Sequence, residues 1–298
     1  MAAATSAATI ARNKVINDTL AKLSNKVASP SLELSSYLGA GITKAALSNN
    51  YSTISKFLTE KDIKIEAWRR MTDASLKKSV DTSIQYGRKY AMQQMTGDRA
   101  KGIVNKVAQQ RYIDRYGADV TKEGLDRYIM SKRDLAIRDA VIDNMSNSVD
   151  DLARTIGRRV DGAIRSSHLE VIEQLGPSPG LDDATTLFRE QLIKDGLVSQ
   201  DGAFQFVEIN GRRYELESYS ELLGRTTTRE AFTQGTIDQA LAEGADLVKI
   251  SGHASTCEIC GPFEYKIFSI SGTSPDHPML TDAPPFHPNC GHIITIYG

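Results

Sequence analysis

The chain reads as an α+β protein: a mainly helical N-terminal region followed by a smaller C-terminal domain of helix and β-hairpins that ends in a Cys/His site. Three observations predict this. From Thr53 to Leu175 there is no proline, and good helix formers dominate. Eight of the nine prolines and all three cysteines come after residue 176. Charge divides at about the same place. Residues 1–170 hold 28 Lys and Arg against 19 Asp and Glu, a net +9, whereas residues 171–298 hold 8 against 18, a net −10. The near-neutral total of −1 therefore averages two unlike regions. With 298 residues the chain is long enough for about two domains with their own cores.

Residues 1–50 are rich in Ala, Ser, Thr and Asn, with Pro30 and Gly39-Ala-Gly41 as breakers. They are expected to form a mobile arm, at best a short helix followed by loops. Residues 51–176 are expected to be a domain of several long helices. Its clearest stripe is Val149, Leu152, Ile156, Val160 and Ile164, spaced 3, 4, 4 and 4, which puts five apolar side chains on one helix face. Arg154, Arg158, Arg159 and Arg165 fall largely on the other faces. They read either as an ordinary solvated surface or as a contact for nucleic acid or a partner.

Gly176-Pro-Ser-Pro-Gly180 cannot continue a helix and is the expected domain boundary. Residues 177–298 form the second domain. A helix is expected near Asp182 to Asp195. Two strand-like runs, Phe204 to Ile209 and Arg212 to Leu216, flank Asn210-Gly211, a preferred two-residue hairpin turn. Ser218 to Glu243 reads as a helix ended by Gly244, and Leu247 to Ile250 as a strand. Tyr265 to Ile270 and Ile293 to Tyr297 are further strand-like runs separated by a proline-rich loop.

Cys257-Glu-Ile-Cys260 is followed after 26 residues by His287-Pro-Asn-Cys290. Each half-site can present two ligands from one tight turn, and two such turns can close a tetrahedron. Cys257, Cys260, His287 and Cys290 are thus the expected ligands of a structural Zn²⁺, with His253, His277 and His292 as substitutes or as groups that orient a ligand. Reduced cysteines in a metal-free hairpin domain are the plainer alternative. Thioredoxin-like redox chemistry fits poorly, because this Cys-x-x-Cys does not open a helix within a βαβ unit. A zinc deaminase needs His-x-Glu near Pro-Cys-x-x-Cys, but His168-Leu-Glu170 lies 87 residues upstream of Cys257 and Thr256 replaces the proline. No Gly-x-Ser-x-Gly, His-Glu-x-x-His or phosphate-loop motif occurs. A zinc-ribbon nuclease acting on DNA stays open as the alternative, although four protein ligands favour structure over catalysis. No run approaches the ~20 apolar residues of a membrane span, and no signal peptide is seen.

The C-terminal part resembles the phage minor capsid protein 2 group of Mu F-like head morphogenesis proteins. The resemblance rests on Ile209-Asn-Gly-Arg212 with Tyr214, Tyr219, Arg225-Thr226, Gly235, Gly244-Ala-Asp246 with Val248, His253 and Cys257-x-x-Cys260. Its most specific part is Pro284-Pro285-x-His287-Pro-Asn-Cys290-x-His292. Gly291 stands where the group usually has Arg. The resemblance implies a non-enzymatic, low-copy virion component made in the host cytoplasm and located inside the head near the portal. It would assist assembly, packaging or ejection. The implied partners are portal and capsid proteins, packaged double-stranded DNA and further copies of the chain. No appended catalytic domain is expected after Gly298.

Overall fold

The computed structural model describes residues 7–46, 51–95, 106–116, 132–175, 181–197, 200, 205–209, 212–252 and 257–298. The expected boundary at Gly176–Gly180, the Asn210-Gly211 turn and His253 lie outside the described residues. The helices are α1 (Ala7–Ala46), α2 (Tyr51–Gln94), α3 (Lys106–Tyr116), α4 (Lys132–Leu175), α5 (Leu181–Lys194) and α6 (Leu216–Ala242). The strands are β1 (Gln205–Ile209), β2 (Arg212–Glu215), β3 (Leu247–Ile250), β4 (Ile267–Ser269) and β5 (Ile294–Ile296). The protein is mostly helical with a small C-terminal antiparallel sheet.

The N-terminal reading needs correction. Residues 7–46 are one helix of 40 residues that passes through Pro30, where a short helix followed by loops was expected. A proline inside a helix removes a hydrogen bond and costs about 3 kcal/mol. Here Val27, Ser31, Leu34, Leu38 and Ile42, spaced 4, 3, 4 and 4, are all buried. Burial of four such aliphatic side chains, at about 1.5–3 kcal/mol each, outweighs one lost bond.

The chain separates into two compact units, and neither follows the sequence in one piece. One comprises residues 26–75 and 146–221, and the other comprises residues 1–25, 76–145 and 222–298.

In the unit of residues 26–75 and 146–221, the five stripe residues of α4 are all buried, Ile156 and Val160 completely. Polar bonds tie its helices together. Trp68 Nε1–H donates to Ser31 Oγ at 2.9 Å, and Ser31 O–H donates to Ser220 Oγ at 2.7 Å. Lys61 on α2 is 1% exposed and pairs with Asp161 on α4 at 3.0 Å. A lysine buried to this degree is stable only when paired. Nearby, Arg69 bridges Glu66 and Asp150, and its guanidinium together with that of Arg70 holds the Glu66 carboxyl down to about 2.

In the other unit, β3 is the central strand, with β4 and β5 antiparallel on either side. Val248, Ile250, Phe268 and Ile294 form a buried cluster that Ile237 of α6 and Phe286 pack against. Ile16, Leu20 and Leu23 of α1 pack with Tyr90, Phe232 and Ile293. Helices α2 and α6 approach closely through glycine. A Cβ on Gly235 would collide with the Ile84 carbonyl, and one on Gly87 with the Phe232 carbonyl. Thr236 O–H donates to the Gly87 carbonyl at the same crossing.

Helix α6 ends as its sequence predicts. Gly244 has φ 85°, Ala245 N–H bonds the Ala240 carbonyl at 2.7 Å and Gly244 N–H bonds that of Leu241 at 3.0 Å. That pair of bonds is the Schellman motif, and Ala240 and Ala245 make its accompanying apolar contact. The exit sets the register of β3. Next to it, buried Asp246 accepts from Ser269 O–H at 2.7 Å and from Ser271 N–H at 2.8 Å, so one carboxylate ties β3 to β4 and the loop after it.

Candidate metal centre

Two turns, one after β3 and one before β5, present the candidate ligands. In the first, Gly261 N–H bonds the Cys257 carbonyl at 2.8 Å, and a short 3-10 turn follows at Gly261–Phe263. The tight turn points backbone N–H groups at the Cys257 sulfur. Its thiol is held below the ordinary value mainly by the Cys260 N–H, then by the Cys260 side chain and the Ile259 N–H, against desolvation and the charge of Glu258. A lowered value favours the thiolate, which is the form that ligates metal.

The second turn follows directly from His287-Pro-Asn-Cys290. Cys290 N–H bonds the His287 carbonyl at 3.0 Å, with Pro288 second and Asn289, at φ 66°, third. Proline in the second position and a residue tolerant of positive φ in the third are what a type II turn requires. The Pro284–Pro285 peptide just before it is cis.

The turns bring five donors together. Cys257, Cys260 and His287 form one group, and Cys260, Cys290 and His292 another, with ligand atoms inside each group within 4.8 Å of one another. His287 Nε2 lies 3.4 Å from both Cys257 Sγ and Cys260 Sγ. Its other nitrogen, Nδ1, lies 2.7 Å from the Pro288 carbonyl. A carbonyl can only accept, so Nδ1 carries the proton and the Nε2 lone pair faces the thiols. His292 is oriented by the same logic in reverse. Its Nε2–H donates to Glu264 Oε1 at 2.9 Å, which leaves Nδ1 as the lone-pair nitrogen, 3.4 Å from Cys290 Sγ. A metal-ligating histidine commonly donates its other ring N–H to a carboxylate in this way. Cys260, Cys290 and His292 are buried, and Phe286 stacks on Phe263 at 4.4 Å and meets the His292 ring edge-on.

Of the residues singled out from sequence, Cys257, Cys260, His287, Cys290 and His292 lie close enough to bind a metal. His277 sits edge-on to Tyr297 and is not among the converging donors. Arg154, Arg158 and Arg165 are exposed on α4, and Arg154 pairs with Asp151 at 3.2 Å. Sequence reasoning missed Glu264, which follows Cys260 by four residues with no motif to mark it.

The donor chemistry fits a thiophilic metal: three thiols and at least one imidazole whose lone-pair nitrogen faces sulfur. Fold and site together define a class, a Cys/His-bearing module of small antiparallel sheet and helix carried in a largely helical chain. Residues 191–297 match the family model of phage minor capsid protein 2. That match supports a structural protein of the phage head with a place in the virion. No curated protein and no solved structure matches the chain. Among the described residues, no helix is long and apolar enough to cross a membrane.

Proposed function

We propose that the protein is a low-copy structural component of the phage head, located inside it near the portal vertex, that assists assembly, packaging or ejection. The family-model match of residues 191–297 carries this reading. In it the functional division of the chain falls near residue 176. The basic region before that point neutralises phosphates of packaged DNA without reading sequence, with Arg154, Arg158, Arg159 and Arg165 among the contacts. The acidic region after it meets portal or capsid protein, and opposite charges suit association of several copies.

Zn²⁺ held by Cys257, Cys260, His287 and Cys290 supplies a structural cross-link between the two turns, with His292 beside Cys290 and oriented by Glu264. His287 is the fourth ligand in this reading because its free nitrogen stands equally near the sulfurs of both residues of the first turn. The fixed turns, the stacked phenylalanines and the Glu264–His292 bond do the rest of the positioning.

Quantitative mass spectrometry of purified virions tests the assignment. The protein should be present far below major-capsid stoichiometry, and its detection only in infected-cell extract would remove the proposal. Incubation with DNA and Mg²⁺ or Mn²⁺ should leave the DNA intact. Cleavage lost on changing His292 but not Cys257 would instead establish a nuclease.

A further inference from the structure

Arg229 on α6 is a partly buried cation. Its Nε and Nη1 are shielded from water and have no hydrogen-bond partner. Leaving charged donors unmade in a protein interior is costly, so such a group asks for an explanation. Its position on α6 supplies one. Arg225 lies one helical turn earlier on the same face and donates from Nη1 to Asn289 Oδ1 at 2.8 Å. Asn289 is the positive-φ residue of the turn that presents Cys290. The α6 face bearing positions 225 and 229 therefore lies against that turn. Burial disfavours the charged guanidinium of Arg229, while the charge of Cys290 favours it.

A metal changes the charge at this place. Three thiolates and a neutral imidazole around a divalent ion leave a net charge of −1 beside Cys290, which is 1% exposed. We propose that Arg229 is the counter-cation and hydrogen-bond donor to the Cys290 thiolate of the metal-loaded site. It is a positioning residue that strengthens metal binding by meeting the charge of that thiolate. This inference rests on the metal-site reading of the preceding section.

The test uses the purified full chain, stripped and reloaded. Zn²⁺ affinity is measured by competition with a chromogenic chelator, and Co²⁺ absorption reports the sulfur-to-metal bands. Arg229→Gln should weaken Zn²⁺ binding by about 10–100-fold, the usual effect of losing a group that supports a ligand. It should also shift the Co²⁺–thiolate absorption. Arg229→Lys keeps the charge and should keep most of the affinity. Arg70→Gln, on an exposed arginine remote in sequence, should change nothing. The metal-free form of Arg229→Gln should be no less stable than metal-free wild type, because it removes shielded charged donors that have no acceptor.

Wild-type affinity in Arg229→Gln would overturn the proposal while leaving the metal site intact. So would an equal loss in Arg229→Lys, or unfolding of the metal-free Gln variant. A wild-type chain that binds neither ion would instead overturn the metal reading itself.

Discussion

The α4 core of one unit and the C-terminal sheet of the other hold themselves together by different means. In α4, five apolar residues within 16 positions share one face, and all are buried. Stability there is spread along a helix, and each side chain contributes its share of apolar area. The sheet has strands of three or four residues, too short to bury much by themselves. It relies on single points: the Asp246 carboxylate, the Gln94 side chain that accepts the Ile296 N–H at 2.9 Å, the Gly235 crossing and the two Cys/His turns. Distributed packing tolerates one loss and a point constraint does not.

The largest expected effect tests the point constraints. If the Cys/His turns hold the proposed metal, Cys290→Ser, or treatment with a strong chelator, should remove it, and the apparent binding free energy in structural sites is on the order of 10 kcal/mol. Amide exchange should then accelerate across β3, β4 and β5 and stay slow at residues 149–164 of α4. Equal loosening of both would erase the distinction.

Ile156→Ala is the reciprocal probe. Truncating a fully buried isoleucine should cost about 2–5 kcal/mol in chemical denaturation and leave metal content unchanged. Gly235→Ala should cost about 1–3 kcal/mol or more, because the new methyl must push α6 away from the Ile84 carbonyl. An unchanged midpoint would show that the crossing relaxes freely. Asp246→Ala leaves the Ser269 hydroxyl and the Ser271 N–H without their acceptor, which should cost about 1–3 kcal/mol. Smallest of all, Arg154→Gln should alter stability by less than about 0.5 kcal/mol, since its ion pair with Asp151 is exposed. If the arginine meets DNA, the same change should reduce the salt slope of binding by about 1.

Much of this was legible locally. The α4 stripe, the Gly244 exit, the span of β3 and the His287 turn all follow from spacing or turn chemistry within a few residues. The α1 helix was not, because Pro30 and the glycines after it read as breakers. The buried row Val27, Ser31, Leu34, Leu38 and Ile42 outweighs them only once there is something to pack against. The donor set was mostly legible too, from Cys-x-x-Cys and His-x-x-Cys. What spacing could not do was separate His292 from His277, since both lie near the second half-site in sequence and only one points a nitrogen at sulfur.

The sequence by itself determined the helix faces, the turns and the Cys/His half-sites, because each depends on dihedral preferences and periodicities within one or two turns of chain. The tertiary structure alone decided the rest. It interleaved segments far apart in sequence into each unit, set Gly87 against α6, gave His292 the Glu264 carboxylate and joined Arg225 to Asn289 of the Cys290 turn. Those pairings join residues 28 to 149 positions apart. No local pattern encodes them, because they follow from which surfaces are buried together.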